Sequence, residues 1–129
     1  MPCTIDSAAP PMNIKEFSQK CGLSAHTLRY YEKIGLLPVV ERTDSNHRRY
    51  SERDVIWITF IKRLKATNMP LSEIQQYAEL REQGEGTEEA RMQLLIAHAR
   101  RLEQAIEHEQ EHLERLKEKI RCYQELICR

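Results

Sequence analysis

The chain has 129 residues, 31% of them charged, and a formal net charge of zero. That length suits one small domain, or a small domain joined to one long helix. An evenly spread neutral charge would argue against a nucleic-acid partner, but the charge here is split. Residues 13–68 carry eleven Lys/Arg against six Asp/Glu, whereas residues 69–129 carry nine against thirteen. A basic front half and an acidic back half fit a nucleic-acid module joined to something else. No apolar run approaches the ~20 residues of a membrane span, and the longest, residues 55–61, is interrupted by Thr59. The start lacks the charged-then-apolar pattern of a signal peptide. The expectation is a cytoplasmic protein with no membrane contact, whose Cys3, Cys21, Cys122 and Cys128 are reduced and unpaired.

Residues 1–11 contain three prolines among small polar residues and predict an extension without structure of its own. From Met12 to Cys21 the apolar residues Ile14, Phe17 and Cys21 recur at helical spacing, with Gly22 as the stop. Cys21 then faces the core as a small buried hydrophobe.

The next stretch, Ser24 to Leu37, organises the rest. Ser24 is suited to cap a helix, and Gly35 stands where a left-handed residue would close it. Between them lie His26, Thr27, Arg29, Tyr30 and Tyr31, a dense set of phosphate and base ligands for one short helix. The pattern predicts the second, recognition helix of a helix-turn-helix. Adjacent tyrosines point in different directions, so one is expected to pack on the core while the other reaches a phosphate.

After Pro38, residues 39–50 mix β-branched and basic residues around Asp44-Ser45-Asn46 and read as a small hairpin, or wing. Arg42 lies on one arm, with His47, Arg48 and Arg49 on the other. Ser51 with Asp54 three residues on predicts a capped third helix. Trp57, Ile58, Ile61 and Leu64 form its apolar face, and Lys62, Arg63 and Lys65 a basic one, with Asn68 at its end. A fourth helix follows Pro70, with Leu71, Ile74, Tyr77 and Ala78 on its buried side, and residues 83–86 break it.

The remainder, residues 87–127, reads as one helix about 60 Å long. With Met92 at heptad position a, Ala99, Ile106, Leu113, Ile120 and Ile127 share that position. Leu95, Leu102, Glu109, Leu116 and Tyr123 then fall at d. Ten of these eleven are apolar, which predicts a coiled coil with a second copy of the chain. Glu109 is the polar exception and is suited to set register or orientation. Two residues remain as a C-terminal tail.

The order of Leu28-Arg29-Tyr30-Tyr31-Glu32, Gly35-Leu36-Leu37-Pro38, Arg42, Arg48-Arg49-Tyr50 and the long helix resembles the MerR family of bacterial transcription regulators. The resemblance implies a mainly α protein: a winged helix-turn-helix DNA-binding domain over residues 12–81, followed by a dimerisation helix over 87–127 that pairs as an antiparallel coiled coil. It implies a homodimer on a palindromic promoter operator with an over-long spacer, which the activated dimer distorts so that RNA polymerase can engage. Carried over by position, Ser24, His26, Thr27, Arg29 and Tyr31 would contact double-stranded DNA from the recognition helix. Arg42, His47 and Arg48 would do so from the wing, and Lys65 from the third helix. Asn46-His47 stands where many members have Gly-Tyr, and Pro70 replaces the usual polar cap of the fourth helix. Neither departure should abolish the fold.

Residues 54–62 and 87–91 look most like the branch answering aldehydes and nitrosative stress, but Arg63 stands at the position of that branch's sensing cysteine. Cys21, Cys122 or Cys128 could substitute through alkylation or oxidation. The metal-responsive alternative would use Cys122, Cys128 and the histidines His98, His108 and His112. On a continuous helix, however, the two cysteines project about 120° apart. No glycine-rich phosphate loop or nucleophile–base pair appears, so neither an enzyme nor a resident cofactor is expected. A DNA-binding architectural dimer that does not switch transcription remains the other reading.

Overall fold

A computed structural model of the chain describes residues 11–38 and 49–128. Five helices follow in order: α1 (Ile14–Cys21), α2 (Ala25–Lys33), α3 (Glu52–Ala66), α4 (Leu71–Gln83) and α5 (Glu88–Ile127). The described chain divides into two compact units, one ending at Arg91 and one beginning at Met92. Most of the expected wing lies outside the described residues, with Arg42, His47 and Arg48 in it.

The helix boundaries follow from local chemistry. Asn13 caps α1 by accepting from the Glu16 amide at 2.9 Å, so α1 starts two residues later than the periodicity alone suggests. Met12 is drawn instead into an antiparallel bridge with Tyr50, through hydrogen bonds of 2.7 and 2.8 Å. The bridge ties the entry of α1 to the residue before α3. Phe17 stacks on Tyr50 with ring centres 4.2 Å apart, directly behind that bridge.

The ends of α2 and α3 are both Schellman motifs. In α2 the Leu36 amide returns to the Tyr31 carbonyl at 2.8 Å and that of Gly35 to Glu32 at 3.3 Å, with Gly35 at φ 83°. In α3 the Met69 amide returns to Leu64 and that of Asn68 to Lys65, both at 3.0 Å, with Asn68 at φ 63°. Asparagine tolerates that conformation better than other non-glycine residues. The Asp54 carboxylate closes the start of α3 by accepting from the Ser51 amide at 2.9 Å.

The core of the first unit is formed by Phe17 and Cys21 of α1, Leu28 and Tyr31 of α2, Leu36 and Leu37 after it, Trp57, Ile58, Ile61 and Leu64 of α3, and Ile74 and Ala78 of α4. Two of the residues expected on the buried side of α4 are not in the core: Leu71 is exposed and Tyr77 only half-buried. Helical side chains lean toward the N-terminus, so Leu71, the first residue of α4, leans past the end of the helix. The α4–α5 corner is closed by Thr87, whose hydroxyl lies 2.9 Å from the Leu80 carbonyl and 2.7 Å from that of Gly84. The same oxygen accepts from Arg91 Nε at 3.0 Å.

Candidate nucleic-acid interface

Helix α2 is short and capped at both ends, and its two faces differ sharply. The Ser24 hydroxyl accepts from the Thr27 amide at 3.1 Å and lies 2.9 Å from the Thr27 hydroxyl. Ser24 and Thr27 are thus occupied in starting the helix. Leu28 and Tyr31, one turn apart, face the core. His26, Arg29, Tyr30 and Lys33 are all exposed, and their spacing of i, i+3, i+4 and i+7 puts them on one outward stripe. Lys33 was not among the expected contacts, although the helical period running from His26 through Arg29 points to it.

The tyrosine pair divides between solvent and core. Tyr30 is 48% exposed and Tyr31 only 4%. The Tyr31 hydroxyl is nevertheless engaged: Lys65 Nζ of α3 donates to it at 3.0 Å and lies 4.9 Å from the centre of its ring. Lys65 therefore sits beside α2. Lys62 does not join an open basic face. Its ammonium donates to the Cys21 carbonyl at 2.7 Å and caps the end of α1. Arg49 and Arg63 are exposed.

The end of α2 is held from two further helices. Trp57 Nε1 of α3 donates to the Leu36 carbonyl at 2.6 Å, and Gln75 Nε2 of α4 donates to the Ile34 carbonyl at 3.1 Å. Sequence reading missed both, because the partners lie 21 and 41 residues apart and no spacing rule connects them.

The cysteines fall into two kinds. Cys21 is buried, and burial is the main cause that pushes its thiol up to about 11, against an opposing pull from Lys62. It is the buried hydrophobe expected, and it is too poor a thiolate source to act as a sensor at neutral pH. Cys122 and Cys128 are free and exposed. The amide of Cys128 still bonds to the Gln124 carbonyl at 3.0 Å, so the helical turn persists to that residue and keeps the two thiols on different sides. Among the described residues, no group of three or more His, Cys, Asp or Glu side chains is placed to hold a metal ion.

Helix α5 carries the expected stripe. Met92, Ile106, Leu113, Leu116, Ile120, Tyr123 and Ile127 are exposed large apolar residues along one helix. Leu95 and Leu102 are half-buried and Ala99 is exposed. Among the described residues, no helix is long and apolar enough to cross a membrane.

A short capped helix with an outward basic and aromatic stripe, set second in a helix-turn-helix and followed by a 40-residue helix, defines a DNA-binding protein of the helix-turn-helix class. Comparison with known proteins narrows the class. A family model described as MerR HTH family regulatory protein matches residues 12–80, and one described as MerR, DNA binding matches residues 55–121. The HTH-type transcriptional regulator AdhR of Bacillus subtilis is 42% identical over 91 residues, which cover 70% of this chain and 65% of that protein, just under two thirds of its length. A crystal structure of a MerR family transcriptional regulator from Listeria monocytogenes matches with a TM-score of 0.79 at 40% identity, covering 84% of this chain and 83% of that one. The structure of HiNmlR, a MerR family regulator lacking the sensor domain, bound to promoter DNA, matches with a TM-score of 0.77 at 33% identity, covering 89% and 91%. The chain belongs to the MerR family of helix-turn-helix transcriptional regulators. It is a DNA-binding regulator of transcription, and the family is not one of enzymes.

Proposed function

We propose that the chain acts as a homodimer on a palindromic promoter operator and controls transcription by distorting the spacer DNA for RNA polymerase. The observation that carries this reading is the outward stripe His26–Arg29–Tyr30–Lys33 on a helix fixed at both ends, in a chain that also carries an exposed apolar stripe on α5. One reading head contacts half a site; a second copy supplies the other half. Arg29 has the fork to read guanine or clamp a phosphate. Ser24, Thr27 and Tyr31 contribute from the same helix, Lys65 from α3, and Arg42, His47, Arg48 and Arg49 from the wing. That HiNmlR is bound to promoter DNA and lacks the sensor domain supports operator binding by a chain of this extent.

The α5 stripe supports an antiparallel pair. In a parallel, in-register pair Glu109 would face Glu109 of the second copy, two like charges in one layer of the seam. Antiparallel pairing sets a positions against d positions. The register with greatest overlap then puts Leu102 opposite Leu113 of the second copy and Glu109 opposite its Ile106. Leu102, Ala105, Ile106, Glu109, Gln110 and Leu113 line a shallow, mainly apolar groove along α5, and that groove is the centre of this pairing.

The signal we propose is a thiol-reactive or small-molecule stress, acting through the exposed Cys122 and Cys128 rather than Cys21. The likeness of residues 54–62 and 87–91 to the aldehyde- and nitrosative-stress branch supports it, and Arg63 requires the reactive thiol to lie elsewhere. Selection of the protein's preferred site from random duplexes tests the core of the proposal. The expected product is a palindrome whose affinity falls steeply with log salt and collapses in Arg29→Ala. Full affinity in that variant, or transcription from a promoter carrying the site that never responds to protein or to thiol reagents, sinks the regulatory reading.

A further inference from the structure

Closing α2 on Gly35 leaves the carbonyls of Ile34 and Leu36 beyond the helical ladder, where they need donors from elsewhere. Gln75 of α4 supplies the first at 3.1 Å and Trp57 of α3 the second at 2.6 Å. The two donors are not independent. The Trp57 ring stacks on Tyr77 of α4, with centres 5.8 Å apart and planes 14° apart, and the Arg81 guanidinium lies 4.3 Å from its centre. Gln75, Tyr77 and Arg81 all belong to α4, so α4 holds the end of α2 directly through Gln75 and indirectly through the indole it clamps. Trp57 is 5% exposed, so its N–H has little water to turn to if Leu36 moves away.

The lever is short but sensitive. A nine-residue helix is about 13 Å long. A tilt of roughly 10° about one end displaces the other by about 2 Å, well outside the tolerance of a bidentate hydrogen bond to a base edge. We infer that Gln75 is a positioning residue for sequence readout: together with Trp57 it fixes the direction of α2, so that α4 sets operator affinity through the recognition helix. The inference rests on α2 being the reading helix.

The test compares Gln75→Met, which keeps the stem and drops the donor, with Trp57→Phe, which keeps an aromatic ring and drops the N–H. Each is titrated with two probes at one salt concentration: the duplex that the wild-type protein selects from a random pool, and a scrambled duplex of the same length. Thermal melts run alongside. Each variant is expected to bind the selected duplex about five- to tenfold more weakly, while binding the scrambled duplex within about twofold of wild type. An equal loss on both probes means a structural role only and overturns the inference, as does an unchanged ratio. Arg29→Ala separates this failure from the underlying one: if it too leaves the selected duplex bound as tightly as before, it is the assignment of α2 as the reading helix that fails.

Discussion

Lys65 of α3 donates to the hydroxyl of Tyr31 on α2 at 3.0 Å, while the Tyr31 ring itself is sealed in the core at 4% exposure. One side chain thus has two duties. Its ring anchors α2 to the hydrophobic interior, and its oxygen holds a cation beside the outward stripe of that helix. Tyr31→Phe preserves the ring and removes only the hydroxyl. Urea unfolding should show a loss of about 0.5–1.5 kcal/mol, the net worth of one hydrogen bond. Lys65→Ala removes the charge, and the slope of log affinity against log salt should shrink by about one. An unchanged slope would mean that Lys65 serves α2 alone and touches no phosphate.

The limits of reading this chain from its sequence follow from the range of the forces involved. Caps and stops act within a turn or two, so Ser24, Gly35, Asp54 and Asn68 announce themselves by spacing. Amphipathic periodicity does the same for Trp57, Ile58, Ile61 and Leu64, and for the α5 stripe. Three contacts that steady the ends of α1 and α2 were not legible. The Lys62 bond to Cys21 and the Gln75 bond to Ile34 each span 41 residues, and the Trp57 bond to Leu36 spans 21. Periodicity marks Trp57 as buried but cannot say which carbonyl its N–H meets. Lys62 illustrates the same limit: spacing places it on a basic face, and only folding shows that its ammonium caps the end of α1. Met12 likewise has the apolarity of a helix residue, and only the distant Tyr50 draws it into a bridge.

The environment of Cys21 makes a prediction about both reactivity and stability. Its thiol ordinarily titrates at 9.0 and in the folded chain at about 11, chiefly because burial disfavours the thiolate. At pH 8 the folded chain should therefore hold about a hundredfold less Cys21 thiolate than an unfolded one. Iodoacetamide labelling mapped by mass spectrometry should modify Cys122 and Cys128 readily and Cys21 only after denaturant is added. The linkage has a definite sign. The folded state keeps a proton that the unfolded state loses once pH passes 9.0, so this group's contribution to stability falls as pH rises from 9.0 to about 11 and is constant below that window. A Cys21 that labels in the folded protein as fast as Cys122 would contradict the buried-thiol account.

The stripe on α5 makes the sharpest demand for a second copy. Leu113 is 44% exposed, Ile120 54% and Leu116 63%, and a side chain of this size gains about 1.5–3 kcal/mol on full burial. Repeated along four heptads, such residues are unstable in water unless another stripe covers them. Leu116→Asp replaces that gain with a charge facing an apolar partner, and sedimentation at micromolar protein should find monomers. Glu109→Leu works in the opposite direction. It removes the charged residue from both layers that hold it, so the dimer should resist dissociation better, but the parallel arrangement loses its penalty too. Disulfide trapping of cysteines placed at 102 and 113 then reads the orientation. Cross-links between 102 of one copy and 113 of the other should dominate while Glu109 is present. A mixture that already includes 102-to-102 links with Glu109 in place would refute the antiparallel register.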